Sequence, residues 1–494
     1  MRFFVWHRAW LLVNLLFALP LCAQSSFQQE FDAERKAMLN EFEDFRRSAN
    51  TEYLSFLTQA WIEMSVEPEV KREFKPVIEP IAPPQSAESA SCLASREIGF
   101  AESEEESGNH LLQQEIAQIK ESASIAGSLI QLNFYGASLQ YNSFGLGTVA
   151  PRQVRDERAV VRVWKEFADC PFGGLLKQLL ATKRQLALND WAFYLLTEHV
   201  SRGLFGNQYA NMATVFQHFL LVQFGYDVRM AKQGDEIVLL VPFKQRIYAR
   251  SFVNLETATY YIYQRRPVAD ASLLTYQIPT DKIQGGLLSL VYSTPLNFPE
   301  DRMKEFSAGV NSNSPVKVKL NENLINFYHD YPQMEVKNYA AVAVDRLFSA
   351  TLLKSFTDYL KGKTLDEQLS FLLKWTQDSF TYVRDEVQFG REKPFFVEEN
   401  FFYPGNDCED RAILFSYLVW HLLRLDVALV EYKGHVATAV AIEGKGDHYL
   451  LQGRKFLVCD PTFIHAGIGQ SMPKYKKEKA TILLVSKLWR ISKS

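Results

Sequence analysis

The 494-residue chain has little cysteine, five residues in all, and little net charge, −3 from 54 basic and 57 acidic side chains. Five cysteines are too few for a disulfide scaffold of this length. The near-neutral balance leaves no basic footprint for nucleic acid or for an acidic membrane surface. Beyond the first 23 residues no apolar run approaches the roughly 20 residues that span a bilayer. What is present is globular: 47% apolar and 13% aromatic residues, over a length that suggests several domains.

Met1 to Arg8 is a short basic start, Ala9 to Leu21 is almost continuously apolar, and Leu21-Cys22-Ala23 ends with a small residue before Gln24. This reads as a secretory signal peptide over 1–23, so the protein is expected to be exported, to the periplasm, the cell surface or the medium. Lipid attachment at Cys22 is disfavoured by the bulky Leu21. Removal of the signal takes Arg2 and Arg8, leaving 52 minus 57, or −5, and four cysteines: Cys92, Cys170, Cys408 and Cys459. In an oxidising compartment a thiol kept reduced needs a reason, and pairing of Cys92 with Cys170 stays open.

Phe27, Phe31, Met38, Phe42, Phe45, Tyr53, Leu57 and Trp61 recur at helical spacing, so 24–66 is an amphipathic helical segment. It suits packing on its own domain or a protein partner. Five prolines between Pro68 and Pro84, then an acidic stretch at Glu102 to Glu106, mark 67–123 as mostly linker. A mixed helix and strand region covers 124–265, a β-rich, proline-punctuated connector 266–335, and a helical then β-rich unit 336–494.

The most informative stretch is Tyr403-Pro404-Gly405-Asn406-Asp407-Cys408-Glu409-Asp410-Arg411 and the apolar run that follows. Pro-Gly is a turn, Asn406 or Asp407 can cap, and the run reads as a helix buried nearly all round. Cys408 then sits in its first turn, where the positive end of the helix dipole favours a thiolate, although Asp407, Glu409 and Asp410 oppose this. His435 follows Gly434 and opens a β-type run; Asp460 precedes Pro461 and ends another. Nucleophile, base and orienting acid thus occur in order. Metal binding by Asp407, Cys408, Glu409 and Asp410 is an alternative that lacks paired-ligand spacing. His421 stands roughly 20 Å along the helix from Cys408, too far to serve as its base. His448 and His465 suit the rim of a cleft, and Cys459 alternates away from Asp460 into the core.

A cysteine opening a buried helix, a Gly-His opening a strand and an Asp-Pro-Thr closing one resemble the transglutaminase-like superfamily, in its bacterial, secreted, peptidase-like members. The resemblance covers roughly Val336 to Pro473. It implies a papain-like α+β core, in which a cysteine-bearing helix packs on an antiparallel sheet. It also implies Cys408 as nucleophile, His435 as base and Asp460 as orienter, acting on amides of a peptide or protein substrate through a thioester. Oxyanion donors would be the Cys408 N–H with Gln388 or Asn400. No cofactor or metal is implied. One condition is geometric: strands 435–443, 448–452 and 455–460 in a simple meander would hold His435 and Asp460 at opposite ends.

A shift of 199 aligns Gly405–Val430 with Gly206–Ala231 without a gap, with six of 26 positions identical. Tyr209 then stands at the cysteine position and Glu236 at the histidine position. The expectation is a duplicated fold whose first copy, 124–265, is degenerate. The rival to an exported thiol hydrolase or acyltransferase is a noncatalytic binding protein using the same fold.

Overall fold

The computed structural model describes residues 46–72, 91–97, 116–117, 127–255, 258–263, 272–279, 285–309 and 314–491. The expected signal peptide with Cys22, the first part of the amphipathic segment and the acidic run at Glu102 to Glu106 lie outside these residues. The fold is mixed α+β with largely antiparallel sheets. Among the described residues no helix is long and apolar enough to cross a membrane.

Two six-stranded sheets dominate. The first contains β1 (Ile62–Ser65), β5 (Arg229–Gln233), β6 (Glu236–Pro242), β7 (Phe252–Leu255), β8 (Ala258–Tyr263) and β9 (Ser272–Thr275), in the order β1-β9-β5-β6-β8-β7. The second contains β2 (Ser95–Glu97), β14 (Val427–Tyr432), β15 (His435–Val440), β16 (His448–Leu451), β17 (Arg454–Cys459) and β18 (Ala480–Leu483), in the order β16-β17-β15-β14-β18-β2. Three two-stranded ribbons complete the set: β3 (Leu129–Phe134) with β4 (Ala137–Asn142), β10 (Met303–Ala308) with β11 (Val316–Asn321), and β12 (Thr381–Tyr382) with β13 (Gly405–Asn406).

Read from the last strand inward, the two sheets have one topology: β9-β5-β6-β8-β7 matches β18-β14-β15-β17-β16. Registers agree as well. Ala231 pairs with Val238 as Val430 pairs with Ala437, 199 residues on; Leu239 faces Tyr263 as Thr438 faces Cys459; Ala231 faces Thr275 as Val430 faces Ile482. A helix precedes each pair of central strands, Ala210–Gln223 before β5 and Cys408–Leu418 before β14, and packs across them.

Every residue of β15 is buried because both of its faces are covered. Alternate side chains point into a small inner core of Ala437, Ala439, Tyr449, Phe456 and Val458, while Val436, Val440 and Cys459 join the large core that includes the helices. The first sheet repeats this, with Val238, Leu240, Tyr260 and Ile262 on its inner side.

The stretch expected to be linker is in part structural. Glu67 bridges to Phe252 on β7 while β1 pairs with β9, so one short segment touches both edges of the first sheet. Cys92 bridges to His448 on β16 while β2 pairs with β18, which does the same for the second. Unpaired edges offer a free ladder of N–H and C=O groups, and that open hydrogen bonding draws these segments in although they lie in or beside a stretch whose composition reads as linker. Strand β9, which falls within the expected connector, belongs to the first sheet because Leu273 and Thr275 point into buried positions.

Helical residues 46–57 pack on the first sheet's own domain. Phe56 and Leu57 are buried, and the Tyr53 hydroxyl meets His218 Nε2 at 2.9 Å and the Tyr276 hydroxyl at 2.7 Å. Burial drives the His218 pKa down to about 3, so this histidine is neutral and structural. Cys92 and Cys170 are free thiols, not joined to each other.

Candidate active site

The Cys408–Leu418 helix starts at Asp407 and is buried along its whole length, including three charged residues of its first turn. Charges survive there only with partners. Asp410 accepts from the Asp407 N–H at 3.1 Å and from the Phe395 N–H at 2.8 Å. Arg411 donates to Asn406 Oδ1 at 2.8 Å, to the Gln377 carbonyl at 3.2 Å and to the Phe380 carbonyl at 2.7 Å. Its burial lowers the Arg411 pKa to about 10.

The second expected residue, His435, opens β15 directly after a two-residue turn in which Gly434 takes a φ of +79°, a conformation that favours glycine. Asp460 follows the last residue of β17. That strand lies between β15 and β16, so the chain does not form a simple meander: β16 is the outer strand, and β17 returns beside β15. His435 Nε2 meets Asp460 Oδ2 at 2.8 Å. The other oxygen, Oδ1, accepts from the N–H groups of Thr462 at 2.9 Å and Phe463 at 3.2 Å. With Nε2 engaged, His435 Nδ1 is left buried and without a hydrogen-bond partner among the described residues.

Cys408, His435 and Asp460 are 0%, 1% and 2% exposed, so the structure holds the site closed. The Cys408 thiol donates to Glu409 Oε2 at 3.3 Å. Asp407, Cys408 and Glu409 offer ligand atoms within 4.8 Å of one another, as do Asp385, Glu392 and Glu409. These sets have metal-like spacing, but a cation of the protein already lies close. Burial opposes the charge on Arg72, yet Glu409, Tyr339 and Glu392 outweigh it and raise its pKa.

The two expected oxyanion donors are engaged elsewhere. Gln388 Nε2 donates to the Gly405 carbonyl at 3.2 Å, and Asn400 Nδ2 donates to the Phe396 and Val397 carbonyls while its Oδ1 accepts from Asn406. Cys459 is buried in the large core with its pKa raised by burial and by Asp460, and it carries no reactive character. His421 stacks on Tyr417, with ring centroids 4.2 Å apart, where the helix passes into a wider turn at Val419–Leu423.

Three contributors were not legible in the sequence. Gln377 Nε2 donates to the carbonyls of Asp460, Phe463 and Ala466, which fixes the loop that carries the acid. Tyr475 stacks on His435 with centroids 5.0 Å apart and planes at 16°. Arg72 arrives from a segment more than 300 residues away. None has a local motif; only the assembled fold brings them to the site.

No family model, curated protein or solved structure matches the chain.

Proposed function

We propose that the protein is an exported thiol enzyme of the transglutaminase-like, papain-like kind that cleaves or transfers acyl groups at amide bonds of peptides or proteins. The observation that carries this reading is the 2.8 Å bond from His435 Nε2 to Asp460, which leaves Nδ1 buried and without a hydrogen-bond partner among the described residues. In the proposed reaction the Cys408 proton passes to His435 Nδ1 and Sγ bonds to the amide carbonyl carbon. The C–N bond then breaks as His435 returns the proton to the departing amine. Water or an amine next attacks the thioester, the C–S bond breaks, and the thiol is restored. Asp460 holds the imidazole in the required tautomer and stabilises the imidazolium.

The same reading treats the chain as an internal duplication whose first copy has lost its chemistry. Its support is the shared strand order and register of the two sheets, together with Tyr209 and Glu236 at the positions equivalent to Cys408 and His435. Export is part of the proposal on the strength of residues 1–23.

A noncatalytic binding protein is the second reading, favoured by the closed site and by the thiol's bond to Glu409. Iodoacetamide labelling from pH 5 to 9, with mass spectrometry to locate the adduct, separates the two. The enzyme reading expects fast labelling of Cys408 well below pH 8, abolished by His435→Ala. An inert Cys408 favours the binding protein.

A further inference from the structure

Tyr475 ends a short 3-10 turn (Pro473–Tyr475) in the connection between β17 and β18. Its ring lies against two neighbouring rings, Tyr432 at 4.7 Å and 24° and His435 at 5.0 Å and 16°, whose own centroids are 6.1 Å apart with nearly parallel planes. The side chain is 1% exposed, and its hydroxyl is buried without a hydrogen-bond partner among the described residues. Leaving a buried hydroxyl unsatisfied is destabilising. Substituting phenylalanine would keep the stack and remove that cost, so the unpartnered hydroxyl is the physical reason to look for a role.

The stack on His435 indicates where a partner would stand. Burial raises the Tyr475 pKa, and the Cys408, Glu478 and Asp460 charges raise it further. The phenol therefore stays protonated, a donor, within reach of the fields of the nucleophile and the acid while stacked on the base. Gln388 and Asn400 donate to backbone carbonyls instead.

We propose that the Tyr475 hydroxyl is an oxyanion donor of this site, binding the negative oxygen of the tetrahedral intermediate formed on Cys408. The proposal rests on Cys408 acting as the nucleophile. When Sγ bonds to the carbonyl carbon, the C=O π pair moves onto oxygen and is met by the Tyr475 O–H. The backbone N–H of Cys408 is the natural second donor. When the intermediate collapses the pair returns, the C–N bond breaks, and the amine leaves with the proton from His435.

Two electrophiles test this on the full protein. Iodoacetamide reacts by displacement at a saturated carbon and forms no oxyanion, whereas p-nitrophenyl acetate acylates through one. In Tyr475→Phe, the rate of carbamidomethylation at Cys408 should stay within about twofold, while acetylation of Cys408, followed by mass spectrometry, should fall about 100-fold. Unchanged acetylation overturns the proposal. An equal fall with both reagents overturns it too, since Tyr475 then supports His435 or the fold. A wild-type Cys408 that reacts with neither reagent brings down the nucleophile reading itself, a distinct outcome.

Discussion

His435 and Asp460 are 25 residues apart in sequence, yet the imidazole Nε2 and carboxylate Oδ2 lie 2.8 Å apart because β17 returns antiparallel beside β15. Thr438 faces Cys459, so Asp460 stands one step further toward the His435 end of the ladder. Its second oxygen is fixed by two backbone N–H groups. Asp460→Asn keeps the size of the side chain but removes the charge that holds the imidazole tautomer. Acyl transfer measured as kcat/KM should fall about 10²–10⁴-fold with little change in melting temperature. Activity within threefold of wild type would remove Asp460 from the mechanism.

The thiol's own neighbour sets a second expectation. Glu409 is buried and accepts the Cys408 S–H at 3.3 Å, so its carboxylate disfavours the thiolate. Glu409→Gln removes that charge and keeps a hydrogen-bonding group. The pH profile of iodoacetamide labelling should move to the acid side, with the rate at pH 6 to 7 rising about tenfold. A profile that stays put, or moves to the alkaline side, contradicts the electrostatic role given to Glu409.

Gln377 holds three carbonyls of the 460–466 loop with one amide, and its own carbonyl accepts from Arg411. Gln377→Leu leaves those acceptors buried and unmet. Urea denaturation should show a loss of about 2–4 kcal/mol. Acyl transfer should fall as well, because the loop carries Asp460. A stability change under 0.5 kcal/mol would mean that the loop finds other partners.

What could be read from sequence divides along the range of the interactions. The helix beginning at Cys408 and the strands opening at His435 and closing before Asp460 announce themselves through local chemistry: Pro-Gly, a capping aspartate, Gly434 and Pro461. The pairing that joins His435 to Asp460 depends on which side of β17 accepts β16, and alternation within a strand carries no information about that. The closing segments at Glu67 and Cys92 flank the prolines of 68–84 and have polar surroundings, so composition suggests linker, while the sheet edges they satisfy lie hundreds of residues away. Tyr475 resembles many surface-turn tyrosines until its stack on His435 is known. A gapless shift of 199 residues, by contrast, anticipated the matching registers of β5, β6, β14 and β15, because short hairpins tolerate few insertions.

Glu398 gives the protein a pH dependence that can be isolated from all its other carboxylates. The side chain is 1% exposed and accepts from the Asp345 N–H at 2.7 Å, at the start of the Arg346–Leu360 helix. Burial pushes its pKa up to about 8 from the usual 4.5, and the Asp345 and Glu399 carboxylates add to the rise, against two backbone N–H groups that lower it. Between those values the folded protein binds a proton that the unfolded chain has released. The stabilisation is therefore complete below about pH 4.5 and is lost as pH rises through 8. Glu398→Gln is neutral at every pH and keeps the acceptor. Relative to that variant, wild type should lose about 3 kcal/mol in urea unfolding between pH 5 and pH 8, with no further divergence above pH 9. A gap that is constant across this range would mean that Glu398 is ionised in the folded protein, held by a compensating cation near Asp345.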